Sequence, residues 1–133
     1  MLHNPVIPVL RSFDQAKATE FYLDFLGFGQ DWTHRFEPAL PLYQQISLRN
    51  TWAGAAEGAV CVLHLSEHHG DASPGANIRI AWPGLAAYQQ HLLAKQYGNA
   101  RPGIETMPWG MQEMRIADPF GNRLVFFEEL ADA

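Results

Sequence analysis

Three histidines stand close together at His64, His68 and His69, with Glu67 among them. Imidazole and carboxylate are the usual ligands of zinc and related divalent ions, so this group is the first candidate for metal chemistry. Its spacing does not secure that chemistry. Residues four apart share a face on a helix, but Val60 to Ser66 reads as a strand running into a loop, which gives no such alignment. The plainer reading lets His64 line a cavity and leaves His68 and His69 in solvent. Nucleophilic chemistry has no support. Ser47, Ser66 and Ser73 lack a nucleophile-elbow setting, and no Gly-rich phosphate loop is present. No catalytic residue is assigned.

The aromatic residues Trp32, Phe36, Tyr43, Trp52 and Trp109 fall in two strand-like segments, their loops, or a Pro-Trp-Gly turn. Together they can form a stacking groove for a flat ligand; ordinary core packing is the alternative. Loop aromatics are the stronger candidates, because loops more often carry function. Asp31, Glu37 and Glu113 lie near them. A carboxylate in such a groove would help hold a cation, most strongly at low ionic strength, although most carboxylates simply face solvent. Glu113 is the best placed, since it alternates with the core-type residues Met114 and Ile116. Arg35 and Arg79 are candidates to enter the same groove and oppose a cation. His34 and His64 titrate near neutrality and would make binding depend on pH. The candidate ligand-binding set is Trp32, His34, Phe36, Tyr43, Trp52, His64, Trp109 and Glu113.

These residues must be positioned by regular elements, and the sequence supplies a repeating order of them. Val6 to Leu10 reads as a short strand interrupted by Pro8, which places it at a sheet edge or exchanged between chains. Ser12 reads as a helix N-cap with Gln15 as its capping-box partner. Ala18, Phe21, Tyr22, Phe25 and Leu26 then form one apolar stripe, ended by Gly27. Phe28 to Phe36, Leu42 to Leu48 and Val60 to Ser66 read as strands, with Gly54 and Gly58 in a small-residue loop before the last. After a polar connector the order restarts. Asn77 to Trp82 is a strand. Leu85 to Gln96 is a helix with Leu85, Tyr88, Leu92 and Leu93 inward. Ile104 to Met107, Met111 to Ala117 and Arg123 to Phe127 are strands. In Met111 to Ala117, Met114 and Ile116 take one face and Glu113 and Arg115 the other. Asp118-Pro119-Phe120-Gly121 suits a type I turn, and the acidic tail from Glu128 should fray. The chain is therefore expected to be one α+β domain over 1–133: module one 1–67, connector 68–76 and module two 77–133, each βαβββ.

Bulk properties narrow the function classes. The 133 residues are 47% hydrophobic and 17% charged, a globular composition. A net charge of −5 with scattered basic residues excludes a nucleic-acid surface. Cys61 is the only cysteine and sits in an apolar run, so it should pack as a small hydrophobe rather than join a disulfide or zinc site. No signal peptide is visible at Met1-Leu2-His3-Asn4-Pro5, and no apolar stretch is long enough to cross a membrane. A cytoplasmic location is the resulting expectation.

Several segments resemble the glyoxalase/bleomycin-resistance protein/dioxygenase (vicinal oxygen chelate) superfamily. Ile7-Pro8-Val9-Leu10-Arg11-Ser12 with Phe21-Tyr22 and Leu26-Gly27-Phe28 resembles its opening strand and helix. Pro108-Trp109-Gly110, Glu113 and Asp118-Pro119-Phe120-Gly121-Asn122 resemble its closing hairpin and lean towards the bleomycin-resistance branch. The resemblance implies curved mixed sheets around a cup or groove with helices packed outside. In the family's enzymes four His, Glu or Gln residues bind one divalent metal. Matching by motif puts those positions at Ile7, His64, Asn77 and Val125, of which only His64 is a good ligand. The resemblance thus implies no metal and no cofactor, and non-catalytic sequestration of a planar, cationic, bleomycin-like small molecule. It also implies a homodimer in which the N-terminal strand crosses to the partner, helped by Pro8, with Trp109 lining a groove shared by both chains. Two alternatives stay open: a metal-dependent lyase or dioxygenase of the same fold, and a non-catalytic partner-binding module.

Overall fold

A computed structural model describes residues 6–52 and 60–130. Two four-stranded mixed sheets carry the chain, and they share one topology. In the first, β1 (Val9–Arg11), β2 (Gly29–His34), β3 (Tyr43–Arg49) and β4 (Val60–Ser66) lie in the order β1-β4-β3-β2. In the second, β5 (Asn77–Ala81), β6 (Ile104–Met107), β7 (Met111–Ala117) and β8 (Arg123–Glu129) lie in the order β5-β8-β7-β6. The opening strand of each sheet runs parallel to its closing strand, and the other pairs are antiparallel. The repeated strand–helix–three-strand order read from the sequence is thus present. The small-residue loop at Gly54 and Gly58 lies outside the described residues.

Each sheet buries one face. Ile46 and Leu48 of β3, Leu63 and Leu65 of β4, Ile80 of β5, Met114 and Ile116 of β7, and Leu124 and Phe126 of β8 enter one continuous core. Their alternation along the strands follows from the two-residue period of a pleated chain. The opposing layer comes from the helices. The first begins as α1 (Gln15–Ala18) and widens into a π-helical stretch, Thr19–Phe25, that buries Phe21, Tyr22 and Phe25. The second, α2 (Leu85–Ala94), buries Leu85, Tyr88 and Leu92, while Leu93 is only half-buried. Cys61 packs in this core, and burial pushes its thiol up to about 12, so it is an inert small hydrophobe.

Polar bonds lock the first half of the chain onto the second. The Tyr22 hydroxyl donates to Asp118 Oδ2 at 2.7 Å, and the Tyr88 hydroxyl donates to the Leu26 carbonyl at 2.8 Å. Asp118 also accepts from the backbone N–H groups of Phe120 and Asn122 and from Asn122 Nδ2. Burying a carboxylate is tolerable only when it is so fully paired. Hydrogen bonds to a charged group contribute about 1.5–3 kcal/mol. Tyr22–Asp118 is therefore a substantial tie between α1's continuation and the β7–β8 turn. That turn is the Asp-Pro-Phe-Gly segment, with Gly121 at φ +90° where the chain reverses.

Several local expectations are corrected. The first helix is capped by Asp14, whose Oδ1 accepts from the Lys17 N–H at 3.0 Å. Ser12 is instead buried, with its N–H bonded to the Ser66 carbonyl, which continues the β1–β4 ladder past the point where a helix could start. β1 begins at Val9, after Pro8, and occupies a sheet edge, where a proline beside the ladder is tolerated. The closing strand does not fray at Glu128. It runs to Glu129, and the Glu128 carboxylate accepts from the N–H groups of Gly84 and Leu85 at the start of α2. A negative group there offsets the positive helix end and replaces the side-chain cap that Gly84 lacks. Only glycine fits at position 84: φ is +82°, and a Cβ would stand 2.2 Å from the Trp52 carbonyl oxygen.

Candidate functional site

With one face of each sheet packed on the helices, the alternate residues of every strand form a second, open face. On the first sheet this face carries Tyr43, Gln45 and Ser47 of β3, and His64 of β4 opposite Gln45. β2 adds two neighbours through a bulge. Gln30 pairs with Ile46 and Trp32 with Gln45, so Asp31 is the extra residue. A bulge of this kind turns the side chain of the added residue toward its neighbour's face. Asp31 accordingly accepts from Gln45 Nε2 at 3.1 Å and from Ser47 Oγ at 3.0 Å.

The hydrogen bonds on this face form one directed chain. A carboxylate can only accept, so Asp31 fixes the Gln45 amide with its nitrogen inward and its oxygen toward His64. Gln45 Oε1 then accepts from His64 Nε2 at 3.0 Å, and His64 Nδ1 accepts from the Tyr43 hydroxyl at 2.7 Å. This network suits the neutral ring with its proton on Nε2, and burial moves the His64 pKa below the ordinary histidine value. Burial, with the Asp71 charge adding to it, raises the Tyr43 hydroxyl. Above this network Trp32 lies nearly parallel to Tyr43, with ring centroids 6.0 Å apart and planes 11° apart, and edge-on to His64 at 5.3 Å. Trp32 remains 43% exposed. The result is a braced aromatic surface beside a carboxylate whose protein partners here are neutral donors.

The open face of the second sheet is built around Glu113. Its side chain is only 1% exposed, yet it is covered by its own partners. Arg79 Nη2 and Trp109 Nε1 donate to Oε2 at 2.8 and 3.0 Å, and Arg115 Nη2 approaches Oε1 at 3.4 Å. The Arg79 hydrogen bond, followed by those from Trp109 and Arg115, holds the Glu113 carboxyl at about 2 against the opposing effect of burial. Glu113 is thus an anchor for three side chains, not the free counter-charge that its alternation with Met114 and Ile116 suggested. Trp109 is 57% exposed, pinned by its ring N–H.

The other sequence candidates are distributed differently. His34 ends β2 opposite Tyr43, and Phe36, 73% exposed, packs edge-on to it at 4.8 Å. Trp52 lies on the helix side, against Tyr88, Trp82 and His91, and is not part of the open-face cluster. Arg35 does not enter the groove: it donates to the Pro38 and Leu40 carbonyls and to Gln15 Oε1, closing the loop after β2. Gln45, Ser47 and Arg115 were missed as site residues, although strand alternation with Gln44, Ile46, Leu48 and Met114 marks them.

The metal positions implied by resemblance fall at Ile7, His64, Asn77 and Val125, and these residues do not fit a metal. Isoleucine and valine offer no donor atom, and both His64 nitrogens are already engaged. Among the described residues no group of three or more His, Cys, Asp or Glu side chains is arranged to hold an ion. Glu67 Oε1 accepts from the Leu42 N–H, so one oxygen of the carboxylate beside His68 is already engaged.

The lowered His64 pKa fixes a pH dependence. Above the ordinary value of 6.5 the ring is neutral folded and unfolded. As pH falls through that value the unfolded chain takes up the proton first, so the fold loses relative stability. Glu113 contributes in a separate window, present above the ordinary carboxylate value of 4.5 and lost only towards about 2. Urea midpoints at about pH 7.5 and about pH 5.5, compared between the protein and His64→Gln, therefore isolate His64 from the other histidines. The drop is expected to be smaller in His64→Gln; an equal drop in both proteins would contradict the neutral-tautomer network.

A family model described as "Glyoxalase superfamily protein" matches residues 1–132. No curated protein matches significantly. Among solved structures, a glyoxalase-related enzyme from Clostridium phytofermentans is 21% identical, with 98% of each chain covered and a TM-score of 0.72. A glyoxylase/bleomycin resistance protein/dioxygenase domain from Frankia sp. EAN1pec is 15% identical, covering 100% of this chain and 96% of that one, with a TM-score of 0.66. A bleomycin-binding protein solved in complex with bleomycin is 19% identical, covering 95% of this chain and 98% of that one, with a TM-score of 0.63. At these identities the likeness is one of fold. Through the family model, which spans nearly its whole length, the chain belongs to the glyoxalase superfamily.

Proposed function

We propose that the protein binds and sequesters a flat, positively charged small molecule of the bleomycin-like class, without chemistry on it. The observation that carries this reading is the open-face cluster of Trp32, Tyr43 and His64, braced by hydrogen bonds that end on Asp31. Holding a large aromatic partly exposed but rigid preserves apolar area for a ligand at little further ordering cost. The Asp31 carboxylate, bonded to the neutral side chains of Gln45 and Ser47, supplies the negative charge. His34 and Phe36 flank the cluster, and Trp109, steadied by Glu113, supplies a second stacking surface. The bleomycin-binding neighbour supports the ligand class through a shared fold. The lack of metal-ligating residue types at Ile7 and Val125 supports binding over catalysis.

A homodimer with exchange of the N-terminal strand completes this reading. Pro8 stops β1 short, so among the described residues β4 has a β1 partner only from His64 onward. On the β1 side of Val60 to Leu63 runs a cleft of about 400 Å³ lined by Val6, Pro8, Val62, Ile78, Arg79 and Ala81. An extended segment from a second copy would pair with that edge and fill the cleft. Light scattering at micromolar concentration should give twice the 14.9 kDa chain mass; the mass of one chain would contradict the dimer.

Binding itself is tested by titrating metal-free bleomycin against the fluorescence of the four tryptophans. Saturable quenching at one ligand per chain is expected. Trp32→Ala and Trp109→Ala, with folding intact, should each weaken it by roughly 2- to 10-fold, the range for one aromatic contact. Asp31→Asn should weaken it most at low salt. No response at micromolar drug would overturn the assignment.

A further inference from the structure

We propose that the open face of the second sheet recognises an acid: a flat ligand lies on the Trp109 indole and places a planar carboxylate against the Arg79 and Arg115 guanidinium groups. This rests on the reading of the open faces as small-molecule sites, and adds the charge of the group that meets the second sheet.

The pairing of the two arginines makes the case. Arg79, Arg115 and Glu113 meet at contacts of 2.8 and 3.4 Å, two cations on one carboxylate, and no ion pair among the described residues joins either arginine to Glu105 or Glu129 on the same face. One arginine is enough to neutralise Glu113. The second is held in place without being needed for that purpose. Both guanidinium groups stay nearly half exposed, at 43% and 47%. Arg79 uses Nη2 on Glu113 and Met111 Sδ, and Arg115 uses Nη2 on Glu113. Their remaining N–H groups donate to no described residue. A guanidinium presents its donors in a planar fork that matches a carboxylate edge.

Geometry places the two forks together. Arg79 lies across from Val125, and Val125 across from Arg115, so both stand in one row of the sheet. The small Val125 side chain separates them, and Glu113 draws both heads towards its two oxygens. Arg79 is further fixed over the Phe127 ring, 4.7 Å from its centroid. Trp109 shares Glu113 Oε2 with Arg79, so the exposed indole is adjacent to the arginine pair. Every group that would touch the ligand is already oriented before it arrives, which reduces the ordering cost of binding. A ligand with a flat ring and an acid would be matched.

The test compares quinoline-2-carboxylate with quinoline-2-carboxamide, which share a ring and differ in charge. Binding to the intact protein is followed by tryptophan fluorescence, with metal-free bleomycin as a parallel ligand. The acid is expected to bind at least ~10-fold more tightly than the amide, by the affinity scale for one charge-assisted pair. Added salt should narrow the gap. Arg115→Gln keeps the shorter Arg79–Glu113 contact and so should fold; it should lower acid binding to the amide's level and leave the amide unchanged. Equal binding of acid and amide, or an Arg115→Gln protein that binds acid as before, would overturn the proposal. If neither quinoline binds while bleomycin does, the acid site fails and sequestration stands. If none of the three binds, both fail.

Discussion

A β-strand has two faces, and in this protein only one face of each sheet joins the helix-packed core. The helices cover the side bearing Ile46, Leu63, Met114, Leu124 and Phe126. The two-residue period of the strands turns their remaining side chains to the other side, where Trp32, Tyr43, His64 and Glu113 stand. That constraint explains why polar and aromatic residues alternate with core residues along β3, β4 and β7. It also explains why the site is a surface braced by hydrogen bonds and not a set of groups aimed at one point. The Tyr22–Asp118 bond ties the first helix to the β7–β8 turn, and the Tyr88–Leu26 bond ties the second helix to the end of the first.

The two open faces solve the same problem with opposite charges. On the first, a carboxylate at the bulge orders Gln45 and, through it, the tautomer of His64, which in turn takes the Tyr43 hydroxyl. On the second, a covered carboxylate orders two guanidinium groups and an indole. In both, an acidic side chain supplies rigidity to its neighbours and leaves an aromatic surface exposed. A metal-binding member of the superfamily would place ligand atoms on these faces. Here Ile7 and Val125 supply none, and His64 has both nitrogens committed, so the residues suit contact and charge better than coordination.

Much of the fold was legible in the sequence, because hydrophobic periodicity is a local signal. Val60–Ser66, Ile104–Met107 and Met111–Ala117 have the bounds that their alternation suggests. The paired repeat was legible from the order of elements. Local signals misled where a distant group decided the outcome. Ser12 looked like a helix cap until β4 claimed its backbone N–H. Glu128 looked like a fraying tail, but it lies 44 residues from the Gly84 N–H that it accepts from, a pairing that only the fold creates. The site was partly legible for the same reason. Trp32, Tyr43, His64, Trp109 and Glu113 stood out by type and place. Asp31's role needed a bulge that no pattern in Phe28 to Phe36 announces, and Trp52 turned to the helix side because Gly84 lets its backbone approach closely.

The central claim is that these faces bind an organic ligand and leave it unchanged, without a metal. Calorimetric titration of chelator-treated protein with metal-free bleomycin, followed by mass measurement of the recovered ligand, tests it most directly. The account predicts one molecule bound per chain and recovered intact. Binding that appears only after a divalent ion is restored at one per chain, or recovery of a converted ligand, would contradict it.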